Sequence, residues 1–327
     1  MSTILISGAS GFIGSHLWER LSSEGHEVHG VSRALHPSGD GHMHWWQADL
    51  RDFEATRALF RNIHPGLVFH LASRVTGSRE LNEVVPTFQD NLASTMHVLV
   101  SAVETSCDRV VLAGSCEAPR QVDGPTLCSP YAAAKWSSAG YAGMFGALYK
   151  ISVVVPRIFM TYGPGRQDTR KIVPYTILSM LRGERPKLSP GRRLVDWIYI
   201  DDVIEGLKRA AFASKLEEST FDLGSGSLVS ICGVVKEIGE IIDNGVEPEF
   251  GAIPERPLEH ERIADTTFVE RAFCWKPSTP LREGLRRTVR WFINCRDIVP
   301  CAILYFWMLV NMLPELIASP ESAWIAA

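Results

Sequence analysis

A serine, a tyrosine and a lysine are spaced for proton transfer at a carbon-bound oxygen. Ser115 follows an apolar run, and Tyr131 comes sixteen residues later, with Lys135 four positions beyond it. Because positions i and i+4 share one face of a helix, Lys135 would stand beside Tyr131. Its charge would then lower the phenol pKa from the usual ~10. Tyr131 would exchange a proton with a carbinol or carbonyl oxygen that Ser115 also binds.

A glycine-rich turn near the N-terminus predicts a dinucleotide site. The segment GASGFIG follows the apolar run TILIS and opens a helical pattern. Glycines permit a tight turn and a close approach of backbone to a pyrophosphate, and the first helix amides face the phosphates. The spacing is GxxGxxG, and its place between strand and helix favours a nucleotide over a plain turn. We expect cofactor contacts from Gly8, Ser10, Gly11, Phe12, Ile13 and Gly14.

The choice between NAD and NADP stays open, with a slight preference for NADP. The second predicted strand runs into Arg33, where an acidic residue would hold the 2′-hydroxyl of NAD. Arg33 would instead pair with the 2′-phosphate of NADP, or be a solvated surface arginine. Asp49 and Leu50 follow the third predicted strand and are placed to contact the adenine, although Asp49 would equally fit a helix cap. Either dinucleotide would exchange hydride with the carbon whose oxygen Tyr131 serves.

The elements that position these residues alternate between strand and helix. Strands are predicted at 3–7, 27–31, 46–48, 67–71, 110–113 and 153–158, and helices at 12–23, 53–62, 84–105 and 129–149. This alternation predicts an α/β fold, a doubly wound parallel Rossmann sheet. We expect a Rossmann domain over 1–165, to which later strands and helices return. A smaller C-terminal α/β substrate lobe would cover 166–296, and an apolar tail 297–327.

Composition narrows the function classes. A net charge of -4 and no basic patch argue against a nucleic-acid partner. The seven cysteines are scattered, which indicates reduced thiols in a cytoplasmic protein and no metal site. The N-terminal apolar run is too short for a signal peptide.

One segment near the C-terminus is unusually apolar. Residues 298–313 carry no charge and follow Arg286, Arg287, Arg290 and Arg296. As a helix the segment would span about 24 Å, short of the roughly 30 Å hydrocarbon core of a bilayer. Packing against the domain or a second subunit, peripheral membrane contact and a true span all stay open. The basic flank would keep the catalytic domain in the cytoplasm in either membrane case.

With these motifs in hand, residues 3 to 292 resemble the extended short-chain dehydrogenase/reductases, in particular the NAD-dependent epimerase/dehydratase family. HLAS (70–73), DNLAST (90–95), RIFMTYGP (157–164), DWIYIDDV (196–203) and WKP (275–277) are similar to its segments. The resemblance implies a nucleotide-diphosphate sugar as substrate and a homodimer formed through two helices. Leu92, Met96, Val100, Tyr141 and Phe145 on those helices would be interface or core. It also implies cofactor contacts from Leu71, Ala72, Ser73, Asn91 and Phe159.

Departures from the family pattern predict a reshaped sugar pocket. Met160 stands where the family has asparagine, and Val195 where it has arginine. Arg192 or Arg193, or else Arg256 and Arg262, would supply the missing charge to the diphosphate. We therefore expect substrate contacts from Met160, Arg193, Arg256 and Arg262.

Glu117 bears on which reaction is catalysed. In family members that are dehydratases, a glutamate at this position removes the C5 proton. The residue before it is often an aspartic acid that protonates the departing water. Here that residue is Cys116, and a thiol is a poor proton donor. The alternative for Glu117 is a cap or surface carboxylate. The first hypothesis is a redox-neutral nucleotide-sugar epimerase or dehydratase that acts through transient C4 oxidation. The second is an NADPH-dependent ketoreductase of a keto-sugar nucleotide or another small carbonyl compound. A non-catalytic dinucleotide sensor is disfavoured because Tyr131 and Lys135 are both present.

Overall fold

The computed structural model describes residues 3–36, 43–119, 127–214, 216, 220–256 and 258–298. The apolar tail that the sequence predicts, including the membrane-contact stretch, lies outside these residues from position 299 onward. Within the described ranges, no helix has both the length and the apolar character that crossing a bilayer requires.

Thirteen strands and ten helices are described. The strands are β1 Thr3–Ser7, β2 Glu27–Ser32, β3 Met43–Gln47, β4 Leu67–His70, β5 Arg109–Leu112, β6 Gly114–Ser115, β7 Ser152–Ile158, β8 Met160–Tyr162, β9 Lys187–Leu188, β10 Leu194–Tyr199, β11 Thr220–Leu223, β12 Leu228–Ser230 and β13 Glu249–Phe250. The helices are α1 Phe12–Ser23, α2 Phe53–Ile63, α3 Val84–Thr87, α4 Ser94–Glu104, α5 Pro130–Tyr149, α6 Ile172–Leu181, α7 Ile200–Phe212, α8 Ile231–Ile242, α9 Thr267–Phe273 and α10 Leu281–Ile298.

The central sheet is parallel throughout. Its strand order is β11-β7-β5-β4-β1-β2-β3, with β6 pairing beside β7. The order reverses between β1 and β4, which is where a doubly wound sheet opens a crevice at the carboxyl ends of its strands. The predicted fold class is confirmed, and the ends of β1 and β4 become the place to look for a ligand.

The helix predicted over 84–105 is not uniform. The short α3 passes into a wide turn at Phe88–Ala93 before α4 continues the same course. Single wide turns inside helices occur often at functional sites. Here the wide turn contains Asn91, one of the residues that the resemblance assigns to the cofactor.

Chain contacts divide the described chain into two compact units. Unit 1 comprises Met1–Thr161, Arg193–Val229 and Arg256–Thr279, and it contains the parallel sheet. Unit 2 comprises Tyr162–Arg192, Ser230–Glu255 and the chain from Pro280. In unit 2, α8 packs against α6 and α10, and β9 pairs in parallel with β13. The chain leaves unit 1 near the predicted boundary at 165 and returns to it twice.

The core beneath the central sheet combines strand and helix side chains. Leu5, Val68 and Val110 from neighbouring strands are buried with Phe60 of α2 and Phe145 of α5. Phe145, which the sequence left as either interface or core, is 5% exposed and belongs to the core. Tyr141 is 44% exposed and therefore stays available for an interface.

Candidate active site

Ser115 is fixed by the sheet. It ends the two-residue strand β6, where it lies opposite Ile158 of β7. The N–H of Cys116 donates to the carbonyl of Ile158 at 3.1 Å, which anchors the turn that follows. Ser115 is 6% exposed, so its hydroxyl has a defined and nearly dry position.

Tyr131 is placed by a capped helix start. Ser129 is the N-cap of α5, and its Oγ accepts a hydrogen bond from the N–H of Ala132 at 3.1 Å. Pro130 occupies the first helical position, where its missing N–H costs nothing. Tyr131 is thereby buried, with Ser115 close enough to act on the pKa of its phenol. The structure brings the predicted serine and tyrosine together.

Lys135 lies one turn further along α5. Its Nζ is 5.7 Å from the centre of the Tyr131 ring and donates to the carbonyl of Ala113 at 2.8 Å. Burial lowers the pKa of Lys135 to about 8. Burial also raises the pKa of Tyr131 above its usual value, with Glu117 adding to the rise and the Ser115 hydrogen bond opposing it. The lowered phenol pKa expected from the sequence is therefore wrong for the protein alone, because burial and the nearby Glu117 both disfavour the phenolate.

Glu117 belongs to the same site. Its N–H donates to Oγ of Ser115 at 3.2 Å, and its carboxylate accepts from Oγ of Ser129 at 3.1 Å. Sγ of Cys128 lies 3.7 Å from the same carboxylate oxygen. Burial, with a further contribution from Glu117, raises the pKa of Cys116 to about 12. Cys116 is thus a neutral thiol at physiological pH and a weak proton donor.

The glycine turn forms a cradle with no room for side chains. Gly8 has a φ of +73°, and a Cβ there would lie 2.8 Å from the backbone nitrogen of Ala72. A Cβ on Gly14 would lie 2.1 Å from the carbonyl oxygen of Gly8. Helix α1 begins at Phe12 with Gly11 as its N-cap and no side-chain cap, so its first amides are left for an anion. Ser10 precedes that cap and Ile13 follows Phe12. These features fit a dinucleotide pyrophosphate.

The loop after β4 borders this cradle. The N–H groups of Leu71 and Ala72 donate to Oγ of Ser7 at 3.1 and 3.2 Å. Asn91 is 2% exposed, and its Oδ1 accepts from Oγ of Ser73 at 3.1 Å and from the N–H of Arg74 at 2.7 Å. Asn91 therefore holds the loop that lies beside the glycines.

His70 ties the same loop to the wide turn. Its Nδ1 is 2.7 Å from Oγ of Ser7, and its Nε2 is 3.1 Å from Oγ1 of Thr95. Because Thr95 donates to the carbonyl of Asn91, His70 must donate from Nε2 and accept at Nδ1. Burial lowers the pKa of His70 to about 3, so the ring is neutral.

At the ends of β2 and β3, charges are paired. Arg51 binds the carboxylate of Asp49 through Nε and Nη2, which lowers the pKa of Asp49. The cap of α2 is Asp52, whose Oδ1 accepts from the N–H of Ala55, so Asp49 does not cap that helix. Leu50 is buried, and its carbonyl lies 2.8 Å from Nδ1 of His97.

Arg33 extends this charged group. Its side chain is 65% exposed, and Nη1 lies 3.8 Å from Oδ1 of Asp90. Asp90 is also 3.7 Å from Arg51 and 3.7 Å from Arg74, and Arg74 pairs with Glu83. The cations and anions of this Asp90 cluster balance: Arg33, Arg51 and Arg74 against Asp49, Glu83 and Asp90.

A second group of arginines lies around Glu259. Nε of Arg193 lies 2.9 Å from Oε2 of Glu259, and Nη1 of Arg256 lies 3.7 Å from Oε1. Nη2 of Arg79 is 3.9 Å from the same Oε1. Sequence reasoning missed Arg79 because it lies in an irregular loop where no pattern marks it. Arg262 is separate and donates to the carbonyl of Cys116, beside the catalytic turn.

The remaining predicted residues lie at the ends of strands. Phe159 is buried, and its N–H donates to the carbonyl of Leu223 at 3.0 Å. Met160 begins β8 and is half-buried. Asp196, part of the family-like segment DWIYIDDV, accepts from the backbone N–H groups of Ser225, Gly226 and Ala264. Its role is to hold two loops of unit 1, which the motif alone did not reveal.

A group of possible metal ligands lies on β2 and β3. Glu27, His29 and His44 present ligand atoms within 4.8 Å of one another. However, Nε1 of Trp46 donates to Nδ1 of His29 at 2.9 Å, which leaves the ring proton on Nε2 facing Glu27. A metal-bound histidine usually donates a hydrogen bond from the ring nitrogen that does not bind the metal. In His29 the nitrogen Nδ1 instead accepts one from Trp46, so these hydrogen bonds favour a group without a metal.

A cavity of about 760 Å³ borders two of the predicted catalytic residues, Ser115 and Lys135. Trp136, Gly140 and Tyr141 of α5 also line it. Ser115 and Lys135 thus border open space despite their burial.

Comparison with known proteins agrees with this geometry. Residues 4–224 match the NAD dependent epimerase/dehydratase family. The UDP-glucose 4-epimerase of Mycolicibacterium smegmatis is 28% identical over 311 residues, which cover 89% of this chain and 98% of that protein. The solved UDP-glucose 4-epimerase of Thermotoga maritima with UDP-glucose is 26% identical, with a TM-score of 0.82 over 90% of this chain and 99% of that one.

A second solved structure carries the cofactor. The UDP-glucose 4-epimerase of Thermus thermophilus in complex with NAD is 27% identical, with a TM-score of 0.79, and the match covers 89% of this chain and 99% of that one. The resemblance stated from the sequence motifs is confirmed. Since the family match spans more than half of the sequence, the chain belongs to the NAD-dependent epimerase/dehydratase family.

Proposed function

We propose that this enzyme is an NAD-dependent nucleotide-sugar 4-epimerase. The observation that carries the proposal is that Ser115, Tyr131 and Lys135 are buried together, with the Ser115 side chain opposing the rise in the pKa of Tyr131 and Nζ of Lys135 5.7 Å from the centre of its ring. This arrangement suits removal and return of a proton at one sugar oxygen. The relatives that are 4-epimerases support the same reaction, with a UDP-hexose as substrate.

The chain's own residues would handle the proton and the oxygen. A dinucleotide bound at the glycine cradle supplies the hydride acceptor and donor. Tyr131 takes the proton of the C4 hydroxyl as C4 is oxidised, and Ser115 hydrogen-bonds the same oxygen. Tyr131 would then return the proton to the C4 oxygen, and because a bound dinucleotide would take up and give back one hydride, the epimer would form with no net oxidation.

Tyr131 must be ionised before it can accept that proton. In the protein alone its pKa is raised, so a cation has to stabilise the phenolate. Lys135 is the nearby cation that can do so, since its Nζ lies over the Tyr131 ring, 5.7 Å from the ring centre, and is held by a hydrogen bond to a carbonyl. Lys135 would thus orient and activate Tyr131 rather than touch the substrate.

Epimerisation fits the turn better than 4,6-dehydration. Dehydration needs a base for the C5 proton and an acid for the leaving hydroxyl. Glu117 could act as the base, but the raised pKa of Cys116 removes the acid that would stand before it. An NADPH-dependent ketoreductase is the second candidate, since the same serine, tyrosine and lysine would serve a single reduction.

We propose NAD as the cofactor rather than NADP. The positive and negative charges of the Asp90 cluster are equal in number. Arg33 therefore adds no unbalanced positive charge that a 2′-phosphate would neutralise. The Thermus thermophilus relative contains NAD, which supports the same choice. This assignment reverses the slight preference for NADP that Arg33 suggested in the sequence.

The proposal is tested by incubating the purified enzyme with UDP-glucose, UDP-N-acetylglucosamine or UDP-glucuronic acid. We expect at least one to be converted to its C4 epimer without added reductant, as seen by anion-exchange chromatography. A 4-keto-6-deoxy product would establish a dehydratase instead. Turnover of a keto-sugar nucleotide only with NADPH would establish the ketoreductase.

We further propose a homodimer formed by α5 and the helical segment from α3 to α4. Val85, Phe88 and Tyr141 on these elements are 60%, 53% and 44% exposed, an unusual number of large apolar side chains for free helix surfaces. Light scattering should give a dimer mass. The double variant Phe88→Glu/Tyr141→Glu should give a monomer, and a monomeric wild type would contradict the proposal.

We also propose peripheral contact of the cytoplasmic enzyme with anionic membranes. The arginines Arg286 and Arg287 of α10 are about half exposed and precede the apolar stretch 298–313. Basic side chains followed by an apolar segment favour an anionic bilayer surface. The full chain should float with phosphatidylglycerol vesicles, and its absence from the floating fraction would contradict this.

A further inference from the structure

The carboxylate of Asp90 lies where three strands of the parallel sheet end. Arg33 follows β2, Arg51 follows β3, and Arg74 lies in the loop after β4. Nη1 of Arg33 is 3.8 Å from Oδ1 of Asp90, and Nε of Arg51 is 3.7 Å from the same oxygen. Nη1 of Arg74 is 3.7 Å from Oδ2. Asp90 is therefore an anion shared by cations from three separate segments.

The wide turn Phe88–Ala93 holds Asp90 in place. The neighbouring Asn91 is 2% exposed, and its side chain bonds the N–H and the carbonyl of Arg74 at 2.7 and 3.1 Å. The Asp90 side chain is itself only 13% exposed. The carboxylate therefore stays beside the arginines unless a buried turn is rearranged.

Arg33 depends on Asp90 more than the other two arginines do. Arg51 and Arg74 each have a second and closer carboxylate, at 2.6 and 2.8 Å. Arg33 pairs with Asp90 alone among the described residues. Its charge also acts on Asp49, but Arg51 is the first cause of the lowered pKa of Asp49 and Arg33 the last. Without the charge of Asp90, the guanidinium of Arg33 would lack a close anion.

Arg33 stands at the position that meets the adenosine ribose of a dinucleotide. Where a glycine turn follows the first strand, an acid near the end of the second strand binds the 2′-hydroxyl of NAD, and an arginine there accommodates the 2′-phosphate of NADP. This chain has no acid at the end of β2, but the fold brings the carboxylate of Asp90 beside Arg33. A 2′-phosphate paired with Arg33 would therefore lie close to a charge of its own sign.

We infer that Asp90 makes the enzyme select NAD over NADP. This inference rests on the proposed function, which includes NAD as the cofactor. Asp90 neutralises Arg33 and repels an approaching 2′-phosphate, which carries about two negative charges. A 2′-hydroxyl has no charge and escapes that repulsion. The wide turn thus supplies the selecting carboxylate that β2 lacks.

The test is fluorescence titration of NADH and NADPH into the purified protein and its variants. Asp90→Asn removes the charge and keeps the shape, so we expect NADPH to bind about tenfold tighter, a change of about 1.4 kcal/mol. NADH affinity should stay within about threefold, because an amide still offers hydrogen bonds to a hydroxyl. The double variant Asp90→Asn/Arg33→Ala should lose the gain, since Arg33 is the cation that Asp90 neutralises.

A second probe tests the phosphate without the nicotinamide. Isothermal titration of adenosine 2′,5′-bisphosphate should give tighter binding to Asp90→Asn than to the wild type, and the difference should shrink with added salt. Titration of 5′-AMP, which lacks the 2′-phosphate, should give nearly the same affinity for both proteins.

Glu83→Gln is the matched control within the Asp90 cluster. Glu83 is a carboxylate that pairs with Arg74 at 2.8 Å and has no ion pair with Arg33 in the described structure. Its substitution should leave the ratio of NADPH to NADH affinity unchanged. Asp90→Glu keeps the charge and should also retain the ratio of the wild type.

The possible failures are distinguishable. An unchanged ratio in Asp90→Asn, an equal shift in Glu83→Gln, or a gain that persists in the double variant would overturn the inference. Tighter binding of NADPH than of NADH by the wild type would overturn it together with the NAD assignment, while leaving the epimerase reaction to its own test. No binding of either dinucleotide by the wild type would overturn the proposed function itself.

Discussion

Two regions of unit 1 are built in opposite ways. One is the predicted catalytic turn, with Ser115, Tyr131 and Lys135, and the other is the Glu259 cluster, formed by Glu259 with Arg79, Arg193 and Arg256. Ser115, Tyr131 and Lys135 are each less than 9% exposed, and each has a partner at defined distance or in a hydrogen bond. The side chains of the Glu259 cluster are 21% to 26% exposed, and three guanidinium groups lie within 3.9 Å of its carboxylate. One region is dry and held by the protein's own contacts, whereas the other is partly open to solvent.

This difference indicates a division of labour. A site whose groups are already partnered and dry has little to reorganise, which favours the chemical step. A partly exposed group of guanidinium groups is accessible to an incoming anion, which favours binding. Changes at the catalytic turn should therefore alter kcat, and changes at the Glu259 cluster should alter KM and the affinity for UDP.

The largest expected effect is at Tyr131. Tyr131→Phe removes the proton-transfer group, and we expect kcat to fall about 10³-fold, within the range for general acid–base groups. UDP affinity should stay within about twofold, since the ring and its packing remain. Tyr141→Phe is the control, because Tyr141 is an exposed tyrosine on the same helix. A Tyr131→Phe enzyme with normal turnover would remove the distinction between the two regions.

The next largest effect is on the stability of the folded protein in acid, through the buried His70. His70 has a pKa of about 3 in the folded protein against 6.5 when unfolded, so the unfolded chain binds a proton that the folded chain does not. Stability should fall as the pH drops below 6.5, by about 3 kcal/mol at pH 4. His70→Asn should be less stable at pH 7 but lose less of its stability on going to pH 4. Chemical denaturation at both pH values measures this, and parallel losses would contradict it.

A smaller effect is expected at Arg256. Arg256→Ala should raise KM for the nucleotide sugar by about 10- to 50-fold with kcat changed less than threefold, because the cation binds the diphosphate in ground and transition states alike. Arg182→Ala, at an exposed pair with Glu184, is the control. Steady-state kinetics would contradict the division of labour if kcat fell and KM did not change.

The smallest effect is at Arg33. Since the Asp90 cluster is balanced, Arg33→Ala should change NAD affinity less than twofold and should not shift the ratio of NAD to NADP affinity. Fluorescence titration with the two reduced dinucleotides measures both values. A selective loss of NADP binding would restore the sequence-based assignment of Arg33 to the 2′-phosphate.

The same contrast explains which features of the candidate site could be predicted from the sequence. Ser115 follows the apolar run of β5, and Tyr131 lies at the start of α5, which a Ser-Pro cap marks in the sequence. Their approach therefore follows from the topology of a parallel sheet. The raised pKa of Tyr131 does not follow, because burial depends on the packing of residues distant in sequence.

The Glu259 cluster was only partly accessible to sequence reasoning. Arg193 and Arg256 were expected at the substrate as replacements for the arginine missing at Val195, but their shared contact with Glu259 was not. Arg79, Arg193 and Arg256 come from three irregular segments more than sixty residues apart. No periodicity or local motif relates such positions, so only the fold reveals which charges meet.

The central claim is that the enzyme oxidises and re-reduces C4 of a nucleotide sugar without exchange at other carbons. The most direct test uses UDP-hexoses carrying deuterium at C4, incubated with the enzyme and NAD in ordinary water, with the products examined by NMR and mass spectrometry. We predict a C4 epimer that retains the deuterium at C4, formed with no net consumption of dinucleotide. Loss of a water molecule from the sugar, or recovery of the starting sugar alone from every UDP-hexose tried, would contradict the claim.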